Sequence, residues 1–189
     1  MKLAVLIPAV AAVAALSTAC TGPTTAKQRV AAPTYEAAAN SAFIESGRTA
    51  VQTLTQNVPA AALGGAPVLV ATVVNVNDMT RSAPLGRTLS EQYAAHMTAM
   101  GFNVKEVKLR TELFVREGTG ELLLSRELRD IAKSQNAAMV LVGTYSPASD
   151  YTFVSIKLVR TEDSRILSGY DYALPNDRDV RRLLQETQQ

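Results

Sequence analysis

The sequence predicts an α/β domain: a mixed four- to five-stranded sheet with helices packed on it and an antiparallel meander at its C-terminal end. Three observations carry that expectation. Val68 to Val76 and Met139 to Tyr145 are nearly unbroken apolar runs rich in β-branched residues, as in strands covered on both faces. Segments of helical period lie between the first strand patterns, and that order implies parallel neighbours. From Met139 onward, strand patterns are joined by tight turns, which implies antiparallel neighbours.

The chain opens with Met1-Lys2, a short positive start, followed by an apolar run from Leu3 to Leu16. That run suits a signal peptide, since a membrane span needs roughly 20 residues. It ends at Leu16-Ser17-Thr18-Ala19-Cys20, which contains the only cysteine of the chain. Ala19 is the small residue that a signal peptidase requires. The stretch resembles the lipobox of bacterial lipoproteins, with Ser17 where Leu is commonest. The resemblance implies cleavage between Ala19 and Cys20 and lipidation of the Cys20 thiol. A buried methylene contributes about 0.8 kcal/mol, so one acyl chain holds marginally and two or more hold stably. The plainer alternative is a secretory signal with an incidental cysteine. Thr21, where inner-membrane lipoproteins commonly carry Asp, points to the outer membrane. The signal is thus assigned to 1–19 and a flexible tether, rich in Thr, Ala and Pro, to 20–34.

Tyr35 to Val58 puts Phe43, Ile44, Gly47, Val51, Leu54 and Val58 on one helical stripe, and Pro59 to Pro67 ends it, giving a helix and linker over 35–66. The domain proper spans 67–175. Its first strand, Val68 to Val76, closes at Asn77-Asp78. Ser82 and Pro84 mark a helix start, Leu85, Leu89, Tyr93, Met97 and Met100 continue it, and Gly101 caps it. Phe102 to Leu109 reads as a strand whose apolar alternation changes phase between Val104 and Val107, which predicts a bulge or bend. Leu113 to Val115 is a short strand or extended piece, and Gly118-Thr119-Gly120 a turn. Ser125 caps a helix with Leu128, Ile131 and Ala132 inward, ended by Asn136 and Ala137. Met139 to Tyr145, Thr152 to Arg160 and Arg165 to Leu174 form the meander. In the last of these, Ile166, Ser168, Tyr170, Tyr172 and Leu174 share a face. Asn176 caps a final helix over 176–189, in which Val180, Leu183 and Leu184 face inward.

Composition removes several function classes. One Cys excludes an intrachain disulfide and a cysteine-based zinc cluster; one histidine, His96, excludes a multi-histidine metal site. A net charge of +2 leaves no electrostatic footprint for nucleic acid. Gly118-Thr119-Gly120 lacks the Lys-Ser/Thr pair of a phosphate loop and is followed by Glu121. Lys105, Lys108, Arg110 and Arg116 are interleaved with Glu106, Glu112 and Glu117, as on a solvated face. Glu162-Asp163 lies in a turn, and His96 reads as a satisfied or exposed helix residue. No catalytic residue, cofactor or metal ligand is assigned. The ligand or partner candidates are Asn77, Asp78 and Arg81, with Asn75 and Thr80 beside them, at the carboxyl end of the first strand, where α/β sheets usually bind ligands. A turn former is the plainer reading of the same residues.

Several segments, in order, resemble the FlgO domain of bacterial outer-membrane lipoproteins. They are Pro84-Leu85-Gly86-Arg87 with Leu89-Ser90-Glu91-Gln92, Val104 to Arg110, and Leu123-Leu124-Ser125-Arg126-Glu127-Leu128, taken as the opening of the third helix. Ala138 to Tyr145, Val154 to Arg160 and Gly169 to Pro175 complete the series. The resemblance implies a fold like the N-terminal part of TolB, CsgG and LpoB, and a surface lipoprotein tied to flagellar assembly or motility. The expected function is therefore a non-catalytic, lipid-anchored scaffold of the outer membrane, facing the periplasm or the cell surface. Its expected partners are the membrane, through acylated Cys20, proteins of the cell envelope, and further copies of itself. The alternative is a periplasmic regulatory lipoprotein that activates a cell-wall synthesis or secretion partner.

Overall fold

A computed structural model describes residues 32–79, 82–107, 114–116, 122–124 and 126–185. Ala19, Cys20 and nearly all of the tether lie outside the described residues. Short helix α1 (Tyr35–Ala39) is followed by α2 (Ala42–Thr55), and a 3-10 turn spans Ala60–Leu63. The helix expected from Tyr35 onward is thus broken at Asn40. Ser41 caps the new start, its Oγ accepting from the Ile44 N–H at 3.4 Å. Gly47, Ala50, Val51 and Leu54 then form the buried stripe.

Strands β1 (Val68–Ala71) and β2 (Val74–Asn75) precede α3 (Pro84–Ala99) and β3 (Val104–Val107). The small hairpin β4 (Phe114–Arg116) and β5 (Leu122–Leu124) comes next, then α4 (Arg126–Ser134). Strands β6 (Met139–Pro147), β7 (Tyr151–Arg160) and β8 (Ile166–Pro175) lead to α5 (Arg178–Leu184). The main sheet has six strands in the order β3-β1-β6-β7-β8, with β2 also on β6. β1 is parallel to β3 and β6; β7 and β8 complete the antiparallel meander. β1 and β2 share one position in the sheet, so five strand positions carry six strands. Val70 faces Leu141 and Val74 faces Thr144, so the β1–β2 side holds one residue more than β6. That is a bulge, and the continuous β-branched run conceals it.

Side chains alternate between two layers. Val68, Val70, Leu141, Val154, Ile156 and Leu158 face the core made with α2, α3 and α5, where Leu54, Leu85, Leu89, Met97 and Val180 are buried. Leu69, Ala71, Val140, Val142 and Val159 face the opposite way, against Leu128 and Ala132 of α4. The α4 layer covers the β1–β6 side; the same face of β7 and β8 beyond Val159 carries the exposed Tyr151 and Phe153.

Several expectations are corrected. β3 pairs with β1 in unbroken register, with no bulge: Val104 packs into one layer and Val107 into the other, which is why the alternation changes phase. The irregularity lies instead between Leu158 and Val159, opposite the start of β8. It places Leu167 against the core and leaves Ile166 49 % exposed on the other face, so Ile166 does not share the face of Tyr170 and Tyr172. Leu122–Leu124 is a strand paired with β4, and the helix opens at Arg126 rather than Leu123. The C-terminal helix is capped by Asp177, whose Oδ1 accepts from the N–H groups of Asp179 and Val180. Asn176 instead joins the strand ends: Thr152 donates to its Oδ1 at 2.7 Å, and its Nδ2 donates to the carbonyl of Ala148. Ser125 and the Gly118-Thr119-Gly120 turn lie outside the described residues.

Candidate functional site

Two places invite a functional reading. The first is the carboxyl end of β1 and β2, beside the N-terminus of α3. The bulge leaves both backbone groups of buried Val73 without a strand partner, and α3 and the segment just before it supply one for each. The Val73 N–H donates to Ser90 Oγ at 2.8 Å, and the Val73 carbonyl accepts from Ser82 Oγ at 2.7 Å. Ser90 Oγ in turn donates to the Gly86 carbonyl, and the Ala83 N–H donates to the Tyr145 hydroxyl at 2.9 Å. Gly86 makes this approach possible: a Cβ there would lie 2.0 Å from the Val73 carbonyl oxygen and 2.4 Å from Ser82 Oγ. Ser82 is therefore not the N-cap; Ala83 holds that position without a side-chain bond, and Pro84 starts the helix where no N–H is needed.

The expected candidates sit just past this joint. The Asn77 N–H donates to Asn75 Oδ1 at 2.9 Å, and the Asp78 N–H donates to the Asn75 carbonyl at 3.2 Å. Asn75 thereby closes a side-chain-stabilised turn that carries Asn77 and Asp78 on its exposed surface. Thr80 and Arg81 lie outside the described residues.

The second place is the face of β7 and β8 that α4 leaves open. A trough of about 570 Å³ crosses it, lined by Val76, Thr144, Ser146, Ser155 and Asp171 around Phe153 and Ala173. Strand register sets the layout. Tyr151 lies opposite Pro175, Phe153 opposite Ala173, Ser155 opposite Asp171, and Lys157 opposite Gly169. Phe153 is 55 % and Tyr151 50 % exposed, in the otherwise polar phase of the strand. Lys157 and Asp171 form no hydrogen bond or ion pair with another described side chain.

On the covered face of β8, the Tyr93 and Tyr172 hydroxyls are 2.5 Å apart. The Tyr172 ring stacks on Tyr170 at 6.1 Å between centroids. Burial pushes the Tyr172 hydroxyl up to about 12 and raises that of Tyr93 well above its ordinary value. Both stay protonated at neutral pH, so the pair is packing with an internal hydrogen bond and cannot serve as a base there. His96 faces α2. Its Nε2 is buried without a hydrogen-bond partner among the described residues, so it is neither the satisfied nor the exposed histidine expected. Burial lowers its pKa, Arg48 lowers it further, and Glu45 opposes them. Of the basic series, Lys105 donates to Gln135 Oε1 at 2.9 Å, while Lys108 and Arg110 lie outside the described residues. In the Glu162-Asp163 turn, Asp163 Oδ1 accepts from the Arg165 N–H.

Among the described residues no group of three or more His, Cys, Asp or Glu is placed to hold a metal ion. No helix among them is long and apolar enough to cross a membrane. Sequence reasoning missed the joint around Val73. Its one signal was Gly86, a poor helix former in the first turn of a helix. It also missed the open face, whose signal was an aromatic pair, Tyr151 and Phe153, out of phase with the core-facing residues.

The geometry defines a class first: a single-cored α/β domain whose ligand edge is closed by its own helix and whose sheet is roofed on only part of one face. A family model described as FlgO protein matches residues 48–179, and the chain belongs to that family. No curated protein matches it. Among solved structures, the LpoB C-terminal domain from Salmonella enterica is 18 % identical, with 67 % of this chain and 93 % of that chain covered at a TM-score of 0.48. A PelC dodecamer from Paraburkholderia phytofirmans is 17 % identical over 59 % of this chain and 72 % of that one, at 0.42. Lipoprotein GNA1162 from Neisseria meningitidis is 11 % identical over 61 % and 83 %, at 0.38.

Proposed function

We propose that this protein is a non-catalytic lipoprotein of the outer membrane, anchored through acylated Cys20, that acts by protein contact in flagellar structure or motility. The observation that carries the reading is the filled ligand edge. Where α/β sheets usually open a site, Gly86, Ser82, Ser90 and Tyr145 close on Val73, and contact surface remains instead on the sheet. The family supplies the setting. The fourteen residues from Cys20 to Pro33 suit a short leash. As a flexible coil they reach roughly 20 Å, and about 50 Å when fully extended. That keeps the domain close to the bilayer.

The test is a Cys20→Ser variant compared with wild type by membrane fractionation and mass spectrometry of the mature N-terminus. Wild type should carry acyl chains and fractionate with the outer membrane, and the variant should not. A variant that stays membrane-bound and is cut identically removes the anchor. Deletion of the gene should impair swimming or filament structure; normal flagella and motility would remove the flagellar role. Crosslinking in cells that captures a cell-wall synthase would replace the scaffold reading with a regulatory one.

A further inference from the structure

On the open face from Tyr151 to Lys157, each β7 residue is paired with a smaller residue on β8, apart from the near-equal Ser155 and Asp171; beyond this stretch Val159, packed against α4, pairs with the larger Ile166. Tyr151 stands beside Pro175, Phe153 beside Ala173, and Lys157 beside Gly169. The face is therefore a ridge next to a furrow of the same length. The fold does not explain the furrow. A Cβ on Gly169 would meet nothing closer than 3.8 Å, which is ordinary contact, and its φ lies outside the left-handed range that favours glycine. Lys157 and Asp171, solvent-accessible on adjacent strands, form no ion pair among the described residues.

From this geometry we infer that the occupant of the open face is a second copy of the chain, packed face to face about a two-fold axis running between β7 and β8. The inference rests on the reading of this domain as one that acts by contact. Such an axis exchanges β7 with β8. Each ridge then falls in the partner's furrow: Phe153 over Ala173, Tyr151 over Pro175, Lys157 over Gly169. An isologous interface requires this self-complementarity. The same rotation brings each Ser155 hydroxyl over an Asp171 carboxylate of the other copy. Each Lys157 ammonium comes within reach of that carboxylate. Sheets pack about 10 Å apart with their strands aligned, so the partner's β7–β8 pair would occupy the layer that α4 fills over β1 and β6. Other occupants fit less well. The polar lining is three hydroxyls and one carboxylate, whereas a two-fold partner accounts for Lys157, Gly169 and the large-small pairing together.

The experiment is sedimentation equilibrium of the full-length acylated protein in density-matched detergent over a concentration series. Wild type should show a monomer–dimer equilibrium. Ala173→Arg fills the furrow at an exposed position, so it should keep the protein monomeric, with a melting curve that matches wild type at dilutions where wild type is itself monomeric. Asp171→Lys should weaken dimerisation about tenfold or more, since it sets like charges together. Lys157→Asp combined with Asp171→Lys should restore it. A wild type that stays monomeric throughout overturns the inference, as does a dimer indifferent to Ala173→Arg or a double variant no better than the single. A monomer that still carries its acyl chains and membrane attachment would sink this interface alone and leave the anchored reading standing.

Discussion

Replacing a glycine by alanine inside a helix ordinarily stabilises it by about 1 kcal/mol. At Gly86 the sign should reverse. The new methyl would lie 2.0 Å from the Val73 carbonyl oxygen, which is backbone and cannot swing away. Carbon and oxygen settle no closer than about 3.3 Å, so the start of α3 must withdraw by more than about 1 Å. That displacement stretches hydrogen bonds of 2.7 to 2.9 Å past their useful range, and three are at stake. Each buried group left unpaired costs about 1–3 kcal/mol. After the helix gain of about 1 kcal/mol is subtracted from about 3–9 kcal/mol for the three bonds, the net loss is about 2–8 kcal/mol, a large part of a typical domain's 5–15 kcal/mol. Urea unfolding followed by circular dichroism reads this directly. With a slope of about 1–3 kcal/mol per molar, the midpoint should fall by about 2 M. Gly169→Ala, where the new methyl makes only ordinary contacts at 3.8 Å, should leave the midpoint nearly unchanged. A Gly86→Ala protein as stable as wild type, or more so, would refute the account of the joint.

Three further outcomes follow from the same physics. Ser90→Ala leaves the buried Val73 N–H without its partner and should cost about 1–3 kcal/mol in the same urea assay. Tyr93→Phe and Tyr172→Phe should each destabilise, and the double variant should lose less than the sum, with a coupling of about 0.5–1.5 kcal/mol in a double-mutant cycle. Because burial raises both hydroxyls, wild-type stability should fall as pH rises through the unfolded value of 10 toward 12, and the double Phe variant should lose that slope. His96 behaves in the opposite pH range. Its pKa in the fold is lowered, so the unfolded chain takes up the proton first, and stability should decline as pH falls below about 6.5. In His96→Gln the melting temperature should depend less on pH between neutrality and that range.

Periodicity made much of this fold readable. The stripe of Gly47, Val51 and Leu54 and the core-facing Val154, Ile156 and Leu158 follow from spacing alone, because burial on one face imposes it. The failures have physical causes as well. Leu122–Leu124 is an apolar run too short to separate a strand from a helix start. Asn176 and Asp177 are adjacent cap formers, and only the needs of Thr152 and Ala148 decide which of them caps. The phase change from Val104 to Val107 imitates a bulge because β3, a half-buried edge strand, sends one valine into each layer and so has no single apolar phase. The break at Val73 hid inside a β-branched run, since a bulge satisfied by the hydroxyls of Ser82 and Ser90, nine and seventeen residues away, leaves no local mark. The candidate turn at Asn77 and Asp78 was readable from residue type, whereas the open face was not: nothing in the sequence says that α4 covers β7 only at Val159.

That partial roof separates two codes within one strand. From Tyr151 to Lys157, alternate residues face opposite layers: Thr152, Val154 and Ile156 go to the core, and Tyr151, Phe153, Ser155 and Lys157 to the outside. Changes at the second set touch no buried contact of α2, α3 or α5. A lineage could therefore alter what this face meets without renegotiating how the chain folds. The open face can thus change at Tyr151, Phe153, Ser155 and Lys157 while Thr152, Val154 and Ile156 keep the core intact.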